Sequence, residues 1–172
     1  MKTVFVDVDT QIDFLYPAGA LYVPGAQSIV PLIAQLNQQA PVVISTTDAH
    51  SENDPEFRFY PPHCVKGTLV QHKPASTLLC NGTRQIILEK QALDCFSIPE
   101  LPALLEHLNA DRYVVYGVVT EICVKYAAFG LLKTGKRVEI VTNAVKALDD
   151  AAAQKMLAEF QAAGGHLARM PF

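Results

Sequence analysis

The sequence predicts an α/β domain with a doubly wound, mostly parallel sheet, and three observations carry that prediction. Short β-branched, apolar runs alternate with segments of helical periodicity, the pattern that buries a parallel sheet between two helical layers. The apolar runs lack the polar alternation of a half-exposed strand, so they belong between layers. No period of 20 to 50 residues repeats, which excludes a solenoid. Half of the 172 residues are apolar and 18% are charged, enough for one sizeable core.

Thr3-Val4-Phe5-Val6-Asp7-Val8 reads as the first buried strand and ends at Asp9. Residues 26–39 place Ile29, Leu32, Ile33 and Leu36 at helical spacing and stop before Pro41. Val42-Val43-Ile44-Ser45-Thr46 is the second strand, with Asp48 leaving its end. From residue 49 to about Thr83 the pattern is irregular and carries four of the eleven prolines, a connection far longer than the usual ~4–6 residues and therefore a candidate functional loop. Gln85-Ile86-Ile87-Leu88-Glu89 is the third strand, residues 98–109 a second helix, and Tyr113-Val114-Val115-Tyr116-Gly117 the fourth strand. A third helix spans 121–133 and closes at Gly135, a fifth strand spans 137–142, and a fourth helix spans 151–163. Residues 166–170 read either as a last edge strand or as a frayed tail.

With the strand order 3-2-1-4-5-6 and helices on both faces, strands 1 and 4 flank the switch point where ligands bind in such sheets. That topology predicts that Asp9 and Cys123, distant in sequence, meet at one crevice.

Composition narrows the function. A net charge of −3 without Lys/Arg clusters argues against nucleic acid or an anionic membrane and favours a small-molecule substrate. Asp7 and Asp9 interrupt the N-terminal apolar stretch, so no signal peptide is expected, and no run approaches the ~20 apolar residues of a membrane span. The expectation is a soluble, cytoplasmic protein. Its cysteines at 64, 80, 95 and 123 form no C-x-x-C pair and read as reduced thiols.

The chemistry-bearing residues cluster at the strand ends. Thr120 as N-cap would put Cys123 in the first turn of the third helix, where unpaired N–H groups favour a thiolate; a lone cysteine is otherwise a core residue. Asp9 at the end of an apolar strand would have a raised pKa and serve as a base, or simply cap backbone N–H groups. Lys90 would add positive charge beside both, unless it is an ordinary surface lysine. Asp48 and His50 lie two apart on an extended segment and so share one face. His63 behind Pro61-Pro62, with Glu56 as a fourth donor, would complete a site for Zn²⁺, Fe²⁺ or Mn²⁺, unless the loop histidines are merely solvated.

Together these residues resemble the nicotinamidase and isochorismatase-like cysteine hydrolases over nearly the whole chain. Asp9-Thr10-Gln11-Ile12-Asp13-Phe14 is similar to the family's D-x-Q-x-D-F, Lys90 stands at its lysine, and Gly117-Val118-Val119-Thr120-Glu121-Ile122-Cys123-Val124 matches its G-V-x-T-x-x-C-V. The resemblance implies that Cys123 attacks an amide carbonyl and forms a thioester, that Asp9 moves the proton to departing ammonia, and that Lys90 orients and balances Asp9. It places an oxyanion hole at the N–H groups of Val119 and Cys123, shaped by a cis Val118–Val119 peptide, with Val118 beside the substrate. Asp48-Ala49-His50 and Tyr60-Pro61-Pro62-His63-Cys64 resemble the nicotinamidase metal segments, with Phe14 and Tyr60 as walls of the substrate pocket. The implied reading is one hydrolase domain over residues 1–172 with a metal-binding insertion around 48–75, acting on nicotinamide, with zinc as the favoured ion. Family members are often dimers or larger, and Leu131-Leu132 and Met156-Leu157 offer apolar positions for a homo-oligomer.

Two departures from that pattern leave another small amide open: Gln91 follows Lys90 where glycine is usual, and Leu93-Asp94-Cys95-Phe96-Ser97 is closer to isochorismatase-like relatives. A rival from another chemistry is a Mg²⁺-dependent haloacid-dehalogenase-like phosphatase, built on Asp7-Val8-Asp9-Thr10, Thr46, Lys146 and Asp149-Asp150. It leaves Cys123, His50 and His63 unused.

Overall fold

The structure is a computed structural model that describes residues 1–80 and 84–171. Strands β1 (Thr3–Val8), β2 (Val43–Asp48), β3 (Gln85–Lys90), β4 (Arg112–Val118), β5 (Arg137–Lys146) and β6 (His166–Ala168) form one sheet in the order β3-β2-β1-β4-β5-β6, with every pairing parallel. This is the predicted doubly wound sheet in a single α/β domain, and the tail at 166 is a strand. All six residues of β2 are buried, and in β1 and β4 only Phe5 and Arg112 are partly exposed. Their continuous apolar runs follow from cover on both faces. Edge strand β3 alternates instead, with Ile87 47% exposed.

The helices are α1 (Ile12–Leu15), α2 (Val30–Gln39), α3 (Leu101–Leu108), α4 (Lys125–Leu132) and α5 (Asp150–Ala162). Right-handed crossovers put α2 on one face and α3, α4 and α5 on the other. The packing agrees: α4 meets α5, and α2 meets the turn Ala75–Thr77 of the long loop. The α2 side buries Leu32, Ile33 and Leu36, and α5 buries Ala153, Met156, Leu157 and Phe160. Among the described residues no helix is long and apolar enough to cross a membrane.

Several boundaries differ from the sequence reading. The short α1 was not foreseen, because four residues carry too little periodicity to register. The first helix begins as a 3₁₀ turn, Ala26–Ile29, and the second is shortened to start at Leu101 after another, Cys95–Ser97. β5 runs past the expected residue 142 to Lys146, with a register irregularity between Val115 and Gly117 of β4. Thr120 is not an N-cap: Val119 holds that position without a side-chain cap, and Thr120–Val124 forms a π-helical turn before α4. The irregular connection carries three 3₁₀ turns, Pro55–Arg58, Leu69–Gln71 and Ala75–Thr77, and its last residues, Asn81 to Thr83, lie outside the described residues.

A buried polar network fastens this connection to the sheet. Lys73 Nζ stands 2.8 Å from Asp7 Oδ2 and also reaches Thr10 Oγ1, which donates to Asp7 Oδ1 at 2.7 Å. Asn37 of α2 donates to Asp7 Oδ2 at 3.0 Å and accepts from Tyr116 at 2.5 Å. In the low dielectric between sheet and helix, each of these groups needs its partner.

Candidate active site

Sheet register brings the site together. Val8 lies opposite Thr46 and Gly117, and Asp48 lies opposite Lys90, so the carboxyl ends of β1, β2, β3 and β4 converge. Gly117, at φ +118°, permits the contact, since a Cβ there would stand 2.1 Å from the Val8 carbonyl oxygen. Lys90 is the last residue of β3 rather than a residue beyond it, and its register with Asp48 turns both side chains toward the same point.

Asp9 leaves β1 in the left-handed region at φ 49°, a conformation that costs a non-glycine residue energy and collects at functional sites. It is 1% exposed. Thr46 Oγ1 donates to its Oδ1 at 2.6 Å, and Lys90 Nζ stands 2.9 Å from its Oδ2. The same ammonium contacts Asp48 Oδ1 and lies 3.9 Å from Cys123 Sγ. One buried lysine therefore joins the carboxylate, the thiol and a residue of the metal cluster.

The electrostatics follow from burial and from that lysine. Burial raises the Asp9 pKa, Lys90 offsets only part of the rise, and Asp48 adds to it. Burial would raise Asp48 too, but Lys90 and then His50 hold it below the ordinary carboxylate value. The two carboxylates and the sulfur keep Lys90 charged against its own burial. The thiol departs from the sequence expectation: burial and the adjacent Asp9 carboxylate push the Cys123 pKa up, and Lys90 compensates only partly. A short π-turn without a capping side chain does not reverse the field of a neighbouring anion. In the resting site the proton stays on sulfur, beside a carboxylate whose raised pKa makes it a ready acceptor.

Beside this group Asp48 Oδ2 lies 3.8 Å from His50 Nε2 and 4.0 Å from His63 Nε2. Glu56 Oε1 is 3.8 Å from the same nitrogen of His63. His50 is 1% and His63 2% exposed, and neither ring nitrogen of His50 makes an aligned hydrogen bond, although Nδ1 has a carboxylate oxygen close by. An orphaned, buried imidazole nitrogen facing a carboxylate and a second imidazole fits a divalent ion. Donors sharing one zinc would stand about 3.3 Å apart, so the side chains would close by about half an ångström or more. Asp48, His50 and His63 can hold a metal as one group, and His50, Asp54 and Glu56 as another.

A cavity of about 200 Å³ connects the two halves and is lined by Asp9, Cys123, Asp48, Glu56 and His63. Phe14, Tyr60, Val118 and Val119 also line it, so every substrate-side residue expected from sequence faces one space. The Val118–Val119 peptide is cis, and the Val119 carbonyl accepts from the N–H groups of Ile122 and Val124. The rings of Phe14 and Tyr60 lie 5.7 and 6.4 Å from that of His63.

Sequence reasoning missed Leu21, Leu93 and Leu148 on the wall, because apolar residues in loops carry no periodic signal, and Ile122, which stood in a quoted motif without a role. It also missed Thr46 as the partner of Asp9. Gln11 and Asp13 stood inside a quoted motif without a role. Gln11 accepts from Asp48 N at 2.7 Å and donates to the carbonyls of Asp48 and Gln71, while Asp13 accepts from Cys64 N at 2.6 Å. Both stitch the metal-bearing loop to the end of β1. Of the phosphatase set, Asp149 caps α5 by accepting from Ala152 N, and Asp7 is taken by Lys73, which leaves that rival without its acidic pair.

A parallel sheet presenting a buried carboxylate, lysine and cysteine beside a metal-competent triad defines a hydrolase site at the switch point. The chain matches the isochorismatase domain family over residues 3–171. It is 28% identical to a nicotinamidase of Acinetobacter baylyi, the match covering 83% of this chain and 80% of that one. A pyrazinamidase/nicotinamidase of Streptococcus mutans superimposes with a TM-score of 0.89 at 28% identity, over 96% of this chain and 99% of the other. A pyrazinamidase of Pyrococcus horikoshii in complex with zinc does so with a TM-score of 0.88 at 27% identity, over 99% and 100%. The chain belongs to the isochorismatase family. Within it the protein is an amidohydrolase, with its relatives on the nicotinamidase branch.

Proposed function

We propose that the protein hydrolyses nicotinamide to nicotinate and ammonia through a thioester on Cys123. The observation that carries this reading is the single Lys90 ammonium shared by Asp9, Asp48 and Cys123 at the wall of one cavity. Sγ attacks the carboxamide carbon while its proton passes to Asp9, which hands it to the leaving nitrogen; the C–N bond breaks and ammonia departs. Water then attacks the thioester carbonyl, gives a proton to Asp9 and releases the acid, and the sulfur recovers its proton. The N–H groups of Val119 and Cys123 would receive the developing oxyanion, and Lys90 would balance the changing charge on Asp9.

Asp48, His50 and His63, with Glu56 as a fourth donor, are the proposed metal ligands, on a loop of about residues 48–75 within one hydrolase domain spanning 1–172. Zinc is the favoured ion, supported by the Asp/His/His donor set and by the zinc held in the Pyrococcus relative. Such an ion supplies a Lewis-acidic point for the pyridine nitrogen and so orients the ring. Phe14, Tyr60 and Val118 flank the substrate. Four free thiols are in keeping with a reducing cytoplasm.

A second reading keeps the chemistry and changes the amide. The aliphatic residues Leu21, Leu93, Ile122 and Leu148 on the cavity wall suit an apolar ring substituent. The test is ammonia release from nicotinamide, pyrazinamide and ring-alkylated nicotinamides, with metal-depleted and Zn²⁺- or Mn²⁺-restored protein and with Cys123→Ala. Metal-dependent release from nicotinamide, lost in the variant, is expected. Release only from alkylated rings would favour the second reading, and undiminished turnover by Cys123→Ala would sink the thioester.

A further inference from the structure

We propose that Asp54, which could join the second metal-competent group but is not among the ligands proposed above, is a positioning residue that fixes which nitrogen of His50 is offered to the metal. The inference rests on the metal reading above. It starts from an asymmetry between the two histidines. His63 has its Nδ1 2.9 Å from the Pro61 carbonyl oxygen, which holds the proton on Nδ1 and leaves the lone pair on Nε2. His50 has no carbonyl in that position. Instead its Nδ1 stands 3.0 Å from Asp54 Oδ2, while its Nε2 points toward Asp48 and His63. A neutral imidazole carries one proton, and a carboxylate beside Nδ1 draws it there.

Asp54 is 8% exposed, and its other oxygen is committed as well. Oδ1 accepts from Glu56 N at 2.9 Å and starts the 3₁₀ turn Pro55–Arg58, which brings Glu56 Oε1 within 3.8 Å of His63 Nε2. One carboxylate therefore sets the tautomer of one donor and the approach of another. The His50 ring is also packed against Phe57, with centroids 5.4 Å apart, so it is not free to turn its other nitrogen to the site.

This predicts an unusual outcome for a near-isosteric change. In Asp54→Asn the amide oxygen can still accept from Glu56 N, so the turn is kept. The amide NH₂ then faces His50 Nδ1 as a donor and moves the imidazole proton to Nε2, the atom the metal needs. Zinc affinity should fall about 10- to 100-fold. A merely structural role predicts no such loss, because the turn survives.

The experiment uses the full-length protein, metal-depleted. Zinc dissociation constants are measured by chelator competition for wild type, Asp54→Asn and Asp54→Ala, with urea unfolding of the metal-free proteins alongside. Nitrogen-15 NMR of the imidazoles at pH 9 reports the His50 tautomer in the wild type, so the assignment does not depend on any variant folding. The expected result is the proton on Nδ1 in the wild type, the loss of affinity in Asp54→Asn, and near-wild-type unfolding of that variant without metal. A wild type that binds zinc while Asp54→Asn binds it within threefold, or a proton found on Nε2 in the wild type, overturns the inference alone. A wild type that binds no zinc overturns the metal reading together with it.

Discussion

Replacing Lys90 with methionine removes the ammonium that stands 2.9 Å from Asp9 Oδ2 and contacts Asp48 Oδ1, while keeping most of the side-chain volume. The lysine side chain is fully buried, and the two carboxylates it serves are 1% and 5% exposed. Breaking a buried ion pair by removing one partner costs about 3–5 kcal/mol, because the charges left behind cannot reach water. For a chain of this size each kcal/mol shifts the melting temperature by about 2–4 °C, so Lys90→Met should melt about 6 to 20 °C below wild type near pH 7.5. The sign of the pH dependence follows from the carboxylates. Asp9 already titrates above its ordinary value, and without Lys90 Asp48 would join it. A carboxyl with a raised folded pKa favours the fold below its unfolded value and disfavours it as pH rises through the folded one. The gap to wild type should therefore narrow as pH falls toward 4. The assay is urea unfolding of metal-depleted wild type and Lys90→Met at pH 7.5 and 5.0. An unchanged midpoint at pH 7.5, or a gap that widens at pH 5.0, would refute the reasoning.

Other consequences are open to direct test. Lys73→Met leaves Asp7 buried without its ammonium and should cost about 3–5 kcal/mol in urea unfolding, with much of the loss recovered in the Lys73→Met/Asp7→Asn double variant. Asp9 helps hold the Cys123 pKa up, so Asp9→Asn should abolish ammonia release yet speed iodoacetamide alkylation of Cys123 at pH 7. Slower alkylation would count against the charge assignment. Burial pulls His50 down, but the neighbouring carboxylates of Asp48 and Asp54 carry it up to about 8 in the metal-free protein. An incoming ion must displace that proton, so zinc affinity should rise about tenfold per pH unit up to about pH 8 and flatten above it. By the same shift, the stability His50 lends the metal-free fold is complete below the ordinary histidine value of 6.5 and disappears as pH rises through about 8.

Much of the site was legible because it stands at strand ends. A parallel strand buried on both faces must be written as an apolar run, and the polar residue that ends it marks where the chain reaches the crevice. Asp9 and Asp48 were found in that way, and Cys123 by the helix after the fourth strand. His50 and His63 were found by donor spacing and by the prolines that hold the second of them. Leu93 and Leu148 were not found, because a loop leucine reads the same whether it lines a cavity or covers a core. Asp54 was passed over for a related reason: an aspartate before a proline is an ordinary turn residue until an imidazole is seen 3.0 Å away.

The thiol shows the limit from the other side. Its place near a helix start was correctly expected, but its pKa direction was not, since that depends on distances to Asp9, Lys90 and Asp48, which are set by three different strands. By itself the sequence determined the alternation of strands and helices, the parallel sheet and its crevice, because burial on two faces and helical periodicity are local demands that each segment must meet. Only the tertiary structure decided that one lysine serves both Asp9 and Asp48, and which carboxylate faces His50. Those contacts join residues 81 and 42 positions apart in the first case, or turn on the path of an irregular loop in the second, and electrostatic energies vary with separations that no local pattern records.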